Sequence, residues 1–207
     1  MVAGWEASAR LSTSSLRLVD CTPCTKILVR ARTASPWVQT LGIGRGRVIT
    51  RSGALIAGIG YEEWLVLIPP GGPSRSAAAE TSNGEMPLTK VDITHARAMI
   101  RIAGTDSAKV LSKLCGIDFR DAVTPDNTAL RSSVARIVTE ILRHDAVRST
   151  AASEQIPAAA PRSYLLLCDR SAGQYLFDSL LDAGCEYGID VEGFADIGND
   201  KSKLVFA

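Results

Sequence analysis

Alternation of apolar and polar side chains is sharpest between residues 97 and 102. Ala98, Ile100 and Ile102 fall on one side of an extended chain and Arg97, Met99 and Arg101 on the other, the period-two signature of a strand with one covered face. A polar turn, Asp92-Ile93-Thr94-His95, precedes it, and Gly104-Thr105-Asp106 ends it and caps a helix start. Over 106–115 the rhythm becomes helical: Val110, Leu111, Leu114 and Cys115 share a side, with Lys109 and Lys113 on another. Residues 133–142 read as one long strand. Residues 163–169, with the apolar run Tyr164-Leu165-Leu166-Leu167-Cys168, read as a buried one. Ser171 caps a second helix whose Leu176, Phe177, Leu180, Leu181 and Cys185 line one face, and 189–194 return as a last strand. The order β-α-β-β-α-β is the ferredoxin-like split arrangement, in which both helices cover one face of a sheet.

The first third is β-rich. Lys26 to Ala31 is a short apolar run with basic residues in it, 47–50 forms a second strand, and 55–60 and 63–68 pair around a turn at Tyr61. Pro69-Pro70-Gly71-Gly72-Pro73 then stops regular pairing. These readings give an α+β chain: a β-rich lobe over 1–70, a Ser/Ala/Gly/Pro-rich linker over 71–88, and a ferredoxin-like lobe over 89–207 with an Ala/Pro-rich loop insertion at 144–162.

Composition narrows the class without naming a function. The 207 residues are 46% hydrophobic and 22% charged, an ordinary globular mix long enough to bury a core without disulfides. No apolar run approaches the roughly 18–20 residues of a membrane span, and residues 1–15 lack the basic start and apolar centre of a signal peptide. A cytoplasmic location is expected. The net charge of +1 argues against a dedicated nucleic-acid binder. It conceals +4 over residues 1–70 against −3 over 71–207, an asymmetry able to steer lobes or partners.

Three motifs invite chemistry. Cys21-Thr22-Pro23-Cys24 has C-x-x-C spacing, which serves thiol redox or half a zinc site, but Cys115, Cys168 and Cys185 stand singly and neither His95 nor His144 has a partner at ligand spacing. Gly42-Ile43-Gly44-Arg45-Gly46 leads into a strand and not a helix, so it reads as a β-turn and not a phosphate loop. His95 lies in the polar turn, where Asp92 and Thr94 can bond backbone N–H groups without any catalysis. Trp37 and Trp64 read as core or interface residues, and the apolar block 64–68 as a feature for docking.

Several blocks taken in order carry more. Arg17-Leu18-Val19-Asp20, Pro23 with Thr25 to Ala31, Glu63 to Gly71, Val91 to Ala98 and Leu111 to Asp118 together resemble the gamma subunit of heterotetrameric sarcosine oxidase over about residues 16–194. The resemblance implies a non-catalytic structural and assembly subunit of an oxidoreductase complex that oxidatively demethylates sarcosine. It implies alpha, beta and delta subunits as partners. No cofactor is expected on this chain; FAD, FMN, NAD and tetrahydrofolate are expected on the partners. Neither a catalytic residue, a metal, a nucleic acid nor a membrane is implied.

That family is in turn similar to the folate-binding aminomethyltransferase of the glycine cleavage system, the T-protein. On that similarity Asp92-Ile93-Thr94-His95 matches a shared turn, Gly104-Thr105-Asp106-Ser107-Ala108 matches a helix start with one residue inserted, and Ile117-Asp118 falls on an Asn-Asp pair whose aspartate contacts folate. Asp118 keeps the carboxylate beside an apolar Ile117 and stands as a vestigial folate position. The pair Cys21 and Cys24 replaces packing residues of the gamma pattern. There are two alternatives: a free-standing tetrahydrofolate-binding, aminomethyltransferase-like protein built on Asp118, and a thiol-redox or metal protein built on Cys21 and Cys24.

Overall fold

The computed structural model describes residues 8–72, 88–145 and 161–194. Two sheets lie face to face. The six-stranded sheet runs β11-β1-β7-β10-β9-β8, from β1 (Leu16–Asp20), β7 (Arg97–Gly104), β8 (Thr128–Val134), β9 (Ile137–Arg143), β10 (Ser163–Asp169) and β11 (Asp190–Glu192). The five-stranded sheet runs β3-β4-β5-β2-β6, from β2 (Thr25–Ala31), β3 (Val48–Arg51), β4 (Ala54–Gly60), β5 (Glu63–Ile68) and β6 (Leu88–Asp92). The chain is α+β, as its pattern predicts.

Three apolar layers hold this together. Ala98, Ile100 and Ile102 of β7 face α2 (Ser107–Leu114) and α3 (Gly173–Gly184), whose Val110, Leu111, Leu176 and Leu180 complete the first layer. Between the sheets, Val19, Met99, Leu165 and Leu167 meet Leu55, Ala57, Leu65 and Leu67. Outside the five-stranded sheet, Ile56, Trp64 and Val66 are covered by α1 (Pro36–Leu41) through Trp37, Val38 and Leu41. Helix α1 is short, but its ends are specified: Ser35 Oγ accepts from Val38 N, Pro36 opens it, and the Gly42 N–H closes it on the Val38 carbonyl.

The split β-α-β core is present, since β7, β10 and β9 are antiparallel neighbours and the β10-α3-β11 crossover spans β7 and β1. Strand β1 is inserted in that core, antiparallel to β7 and parallel to β11. The sheets therefore do not divide at residue 70: β1 belongs with the later strands, and β6 pairs with β2 in the earlier sheet. Gly104 permits the β1–β7 crossing, because at φ 143 a Cβ there would lie 2.2 Å from the Ser15 carbonyl oxygen. The face carrying Met99 is not open to water, as strict alternation suggests, but buried by the second sheet.

The single strand expected over 133–142 is a hairpin. Ala135 and Arg136 both take positive φ, 48° and 67°, in a two-residue turn that pairs Val134 with Ile137. This is the type I′ pattern, normally signalled by Asn-Gly. Ser171 lies in a 3-10 turn over Arg170–Ala172, and neither α3 nor α2 has a side-chain cap bond at its N-cap residue, Ala172 or Asp106. Cys185 is exposed just beyond α3 instead of buried on its face. Most of the linker at 71–88 and of the insertion at 144–162 falls outside the described residues.

Candidate functional site

The polar turn and the cysteine pair form one buried assembly at the start of β2. Asp92 Oδ1 accepts from Thr94 N at 2.9 Å, the side-chain bond that shapes such turns. Thr94, 3% exposed, accepts from Lys26 N through its Oγ1 at 3.0 Å. Lys26 is wholly buried, and its Nζ donates to the carbonyls of Thr22, Cys24 and Thr94 at 2.7, 3.0 and 3.2 Å. Those three acceptors use all three ammonium hydrogens. Burial lowers the Lys26 pKa from 10.5 to about 8. By pattern alone Lys26 is only the polar end of a strand; its contacts show it joining the β1–β2 corner to the 92–95 turn. His95 is exposed at the surface of that turn.

Cys21 and Cys24 are fully buried and free of disulfide, and the Cys24 N–H closes a turn on the Cys21 carbonyl at 3.0 Å. Burial pushes the Cys24 thiol up to about 12 and Cys21 well above its usual value. Thiols held that far from ionisation are poor nucleophiles. No group of three or more His, Cys, Asp or Glu side chains that could hold a metal ion occurs among the described residues.

Beside this corner is a cleft of about 390 Å³ between the β1–β2 turn and the start of α3. Ala98, Ile100 and Phe177 form its apolar floor, and Asp20, Arg170 and Gln174 bring polar groups to it. Asp118 does not line this cleft. Its carboxylate folds back on Arg120, accepting from the backbone N at 2.9 Å and from Nε at 2.8 Å, and these bonds hold its pKa below the ordinary carboxylate value. The side chain is 36% exposed. The carboxylate of Asp118 is thus paired within its own loop, by the backbone and the side chain of Arg120.

The richest polar network lies elsewhere, among residues that carry no motif. Arg143, side chain 6% exposed, donates to Asp121 Oδ1 at 2.6 Å and to Asp145 Oδ2 at 2.7 Å, and it stacks 5.9 Å from the Tyr164 ring centre. His144 places Nδ1 2.9 Å from Asn127 Oδ1 and Nε2 3.5 Å from Thr50 Oγ1. It lies where β3 and β8 are bridged through Arg47 and Thr128. The His144 contacts link the two sheets, and Arg143 is paired with its carboxylates, whereas the buried Tyr164 hydroxyl has no hydrogen-bond partner.

Trp64 is 3% exposed, in an edge-to-face contact with Trp37 at 5.7 Å. It is core, and the block 64–68 cannot serve as a docking surface because α1 and the opposite sheet cover it.

This arrangement of sheets has known counterparts. A chain of the heterotetrameric sarcosine oxidase from Corynebacterium sp. U-96, solved in complex with pyrrole 2-carboxylate, is similar with a TM-score of 0.65 over 86% of this chain and 89% of that one, at 23% identity. The glycine cleavage system aminomethyltransferase T from Bartonella henselae is similar with a TM-score of 0.60 at 14% identity, over 92% of this chain. The chain shares their aminomethyltransferase-like fold. The likeness spans half of the aminomethyltransferase chain but nearly all of the oxidase chain. No protein-family model matches the sequence, and no curated protein matches it.

Proposed function

We infer that this protein is a gamma-type subunit of a heterotetrameric sarcosine oxidase, contributing structure and assembly while larger subunits carry the flavins, NAD and tetrahydrofolate and perform the demethylation. The single observation that carries the reading is the near end-to-end likeness to an oxidase chain of similar length. It is supported by Asp118, the position that the sequence resemblance aligns with a folate-contacting aspartate, whose carboxylate here pairs with Arg120 of its own loop. A fold that retains its layers while its one candidate carboxylate serves its own loop is suited to supplying surface.

The test is purification of the tagged chain after co-expression with the larger oxidase subunits from the same source. A stoichiometric complex with a flavin absorption spectrum is the expected result. A chain that purifies alone, colourless, and binds tetrahydrofolate saturably in a manner abolished by Asp118→Ala would replace this reading with a free-standing folate protein.

A further inference from the structure

The cleft beside α3 is laid across the central strand of the six-stranded sheet. Strand β7 runs between β1 and β10, and Ala98 and Ile100, on its helix-side face, are the floor. Register sets Asp20 of β1 beside Ile100. Arg170 follows β10 on the other side of β7, where its N–H donates to the Ala96 carbonyl at 3.0 Å. A carboxylate and a guanidinium thus stand on opposite walls, offset along β7 as well as across it, and they form no ion pair with each other. The length of the arginine side chain leaves a gap between the charged ends on the scale of two extended residues, about 7 Å.

Both walls are preformed. Thr22 N donates to Asp20 Oδ1 at 2.9 Å, Thr22 Oγ1 accepts from Met99 N at 3.1 Å, and Lys26 Nζ holds the Thr22 carbonyl at 2.7 Å. On the other side, α3 comes down on β7 because position 173 lacks a side chain: a Cβ there would lie 2.6 Å from Ala98 Cβ. Thr22 is 5% exposed, and its hydroxyl, an acceptor for Met99 N, keeps a hydrogen to donate into the cleft it lines. A site whose walls are fixed in advance loses little freedom on binding.

We propose that this cleft binds a short zwitterion with an apolar body, of the size of a dipeptide, with its ammonium on Asp20, its carboxylate on Arg170 and its side chains on Ala98, Ile100 and Phe177. The two rim charges balance, so an ion of either sign gains at one end and is opposed at the other, whereas a ligand carrying both charges gains at each. The arginine–carboxylate contact is the stronger anchor, since it can be bidentate. A cleft of about 390 Å³ lies within the range of small-molecule sites. Every group invoked belongs to this chain, so the site stands independently of the subunit reading above.

Isothermal titration of the full-length chain with leucyl-phenylalanine, its N-acetyl form and its C-terminal amide tests it. Saturable binding of the free dipeptide is expected, weakened ~10-fold or more by acetylation, which removes the ammonium, and by amidation, which removes the carboxylate. Asp20→Asn keeps an acceptor for Thr22 N; it is expected to weaken the free dipeptide ~10-fold while leaving the N-acetyl form unchanged. Arg170→Gln is expected to do the same for the free dipeptide while leaving the amide unchanged. Tyr175→Ala, on an exposed tyrosine of α3 outside the cleft, is the control and leaves all three affinities as they are. Circular dichroism checks that each variant is folded. Absence of saturable heat with the free dipeptide at ~10 mM overturns the proposal. Equal binding of the free, acetylated and amidated forms overturns it too, as does discrimination among them that survives both Asp20→Asn and Arg170→Gln.

Discussion

Replacing Lys26 by methionine isolates the energetics of the buried corner. The substitution keeps an unbranched side chain of comparable length but deletes the three donors that satisfy the Thr22, Cys24 and Thr94 carbonyls. Each buried acceptor left without a partner costs about 1–3 kcal/mol. Against that stands the recovered cost of burying a cation: a folded pKa near 8 in place of 10.5 corresponds to about 3 kcal/mol at 1.36 kcal/mol per unit. The net expectation near neutral pH is a loss of about 3 kcal/mol, the carbonyl deficit exceeding the relief.

Its pH dependence separates this account from a plain packing defect. Between pH 8 and 10.5 the unfolded lysine still holds a proton that the folded one has released, so wild-type stability from this residue rises with pH across that window. Methionine cannot titrate. The gap between wild type and Lys26→Met therefore widens by up to about 3 kcal/mol on going from neutral pH to the upper end of the window. The raised thiol pKa values of Cys21 and Cys24 act in the opposite direction as alkalinity increases, but they are present in both proteins and largely cancel in the difference. Urea denaturation of both proteins at several pH values supplies the measurement. A gap that stays flat or narrows would show that the Lys26 ammonium is not desolvated, and the reasoning would be refuted.

Arg136→Gly is expected to stabilise by about 0.5–1 kcal/mol, since φ 67 at that position suits glycine; a lower urea midpoint than wild type would contradict the type I′ assignment. Gly104→Ala is expected to cost about 2 kcal/mol or more, because its Cβ would strike the Ser15 carbonyl at 2.2 Å and its φ disfavours any side chain; thermal denaturation reads it. His144, shifted below 6.5 by burial despite the nearby Asp126 and Asp145 and with Arg101 adding to the shift, is bound neutral in the fold. Stability is therefore retained above the unfolded pKa and lost as pH falls through about 6.5, and an NMR titration giving His144 a pKa above that of a free histidine would oppose this. Isolated chain titrated calorimetrically with tetrahydrofolate at millimolar concentration should give no saturable heat, since Asp118 is committed to Arg120.

Most of the strands were legible because each satisfies one local rule: period-two alternation in β7, an unbroken apolar run in β10, and turn residues around β4 and β5. What failed was pairing. Nothing local distinguishes Leu16–Asp20 as a partner of β7 from a neighbour of β2, because the choice is made by Gly104 crossing Ser15 and by β11 returning beside it. The β8–β9 break was hidden for a different reason. Ala135-Arg136 carries none of the usual turn chemistry, and the conformation is imposed by the tertiary bond from Ala135 N to the Leu114 carbonyl and by full pairing from Thr128 to Arg143. Helix α1 could have been found from Ser35-Pro36 and Gly42, since six residues are too few for periodicity but enough to show both caps.

The functional residues divide along the same line. Asp118 and the C-x-x-C pair were visible as motifs, yet whether a carboxylate or thiol is available depends on its neighbours and burial, which spacing does not encode. Arg120 lies two residues from Asp118 and occupies it; the cysteines lie under two sheets. Conversely, Lys26 and Arg143 carry no motif, and their importance comes from acceptors brought by distant segments, Thr94 for one and Asp121 for the other.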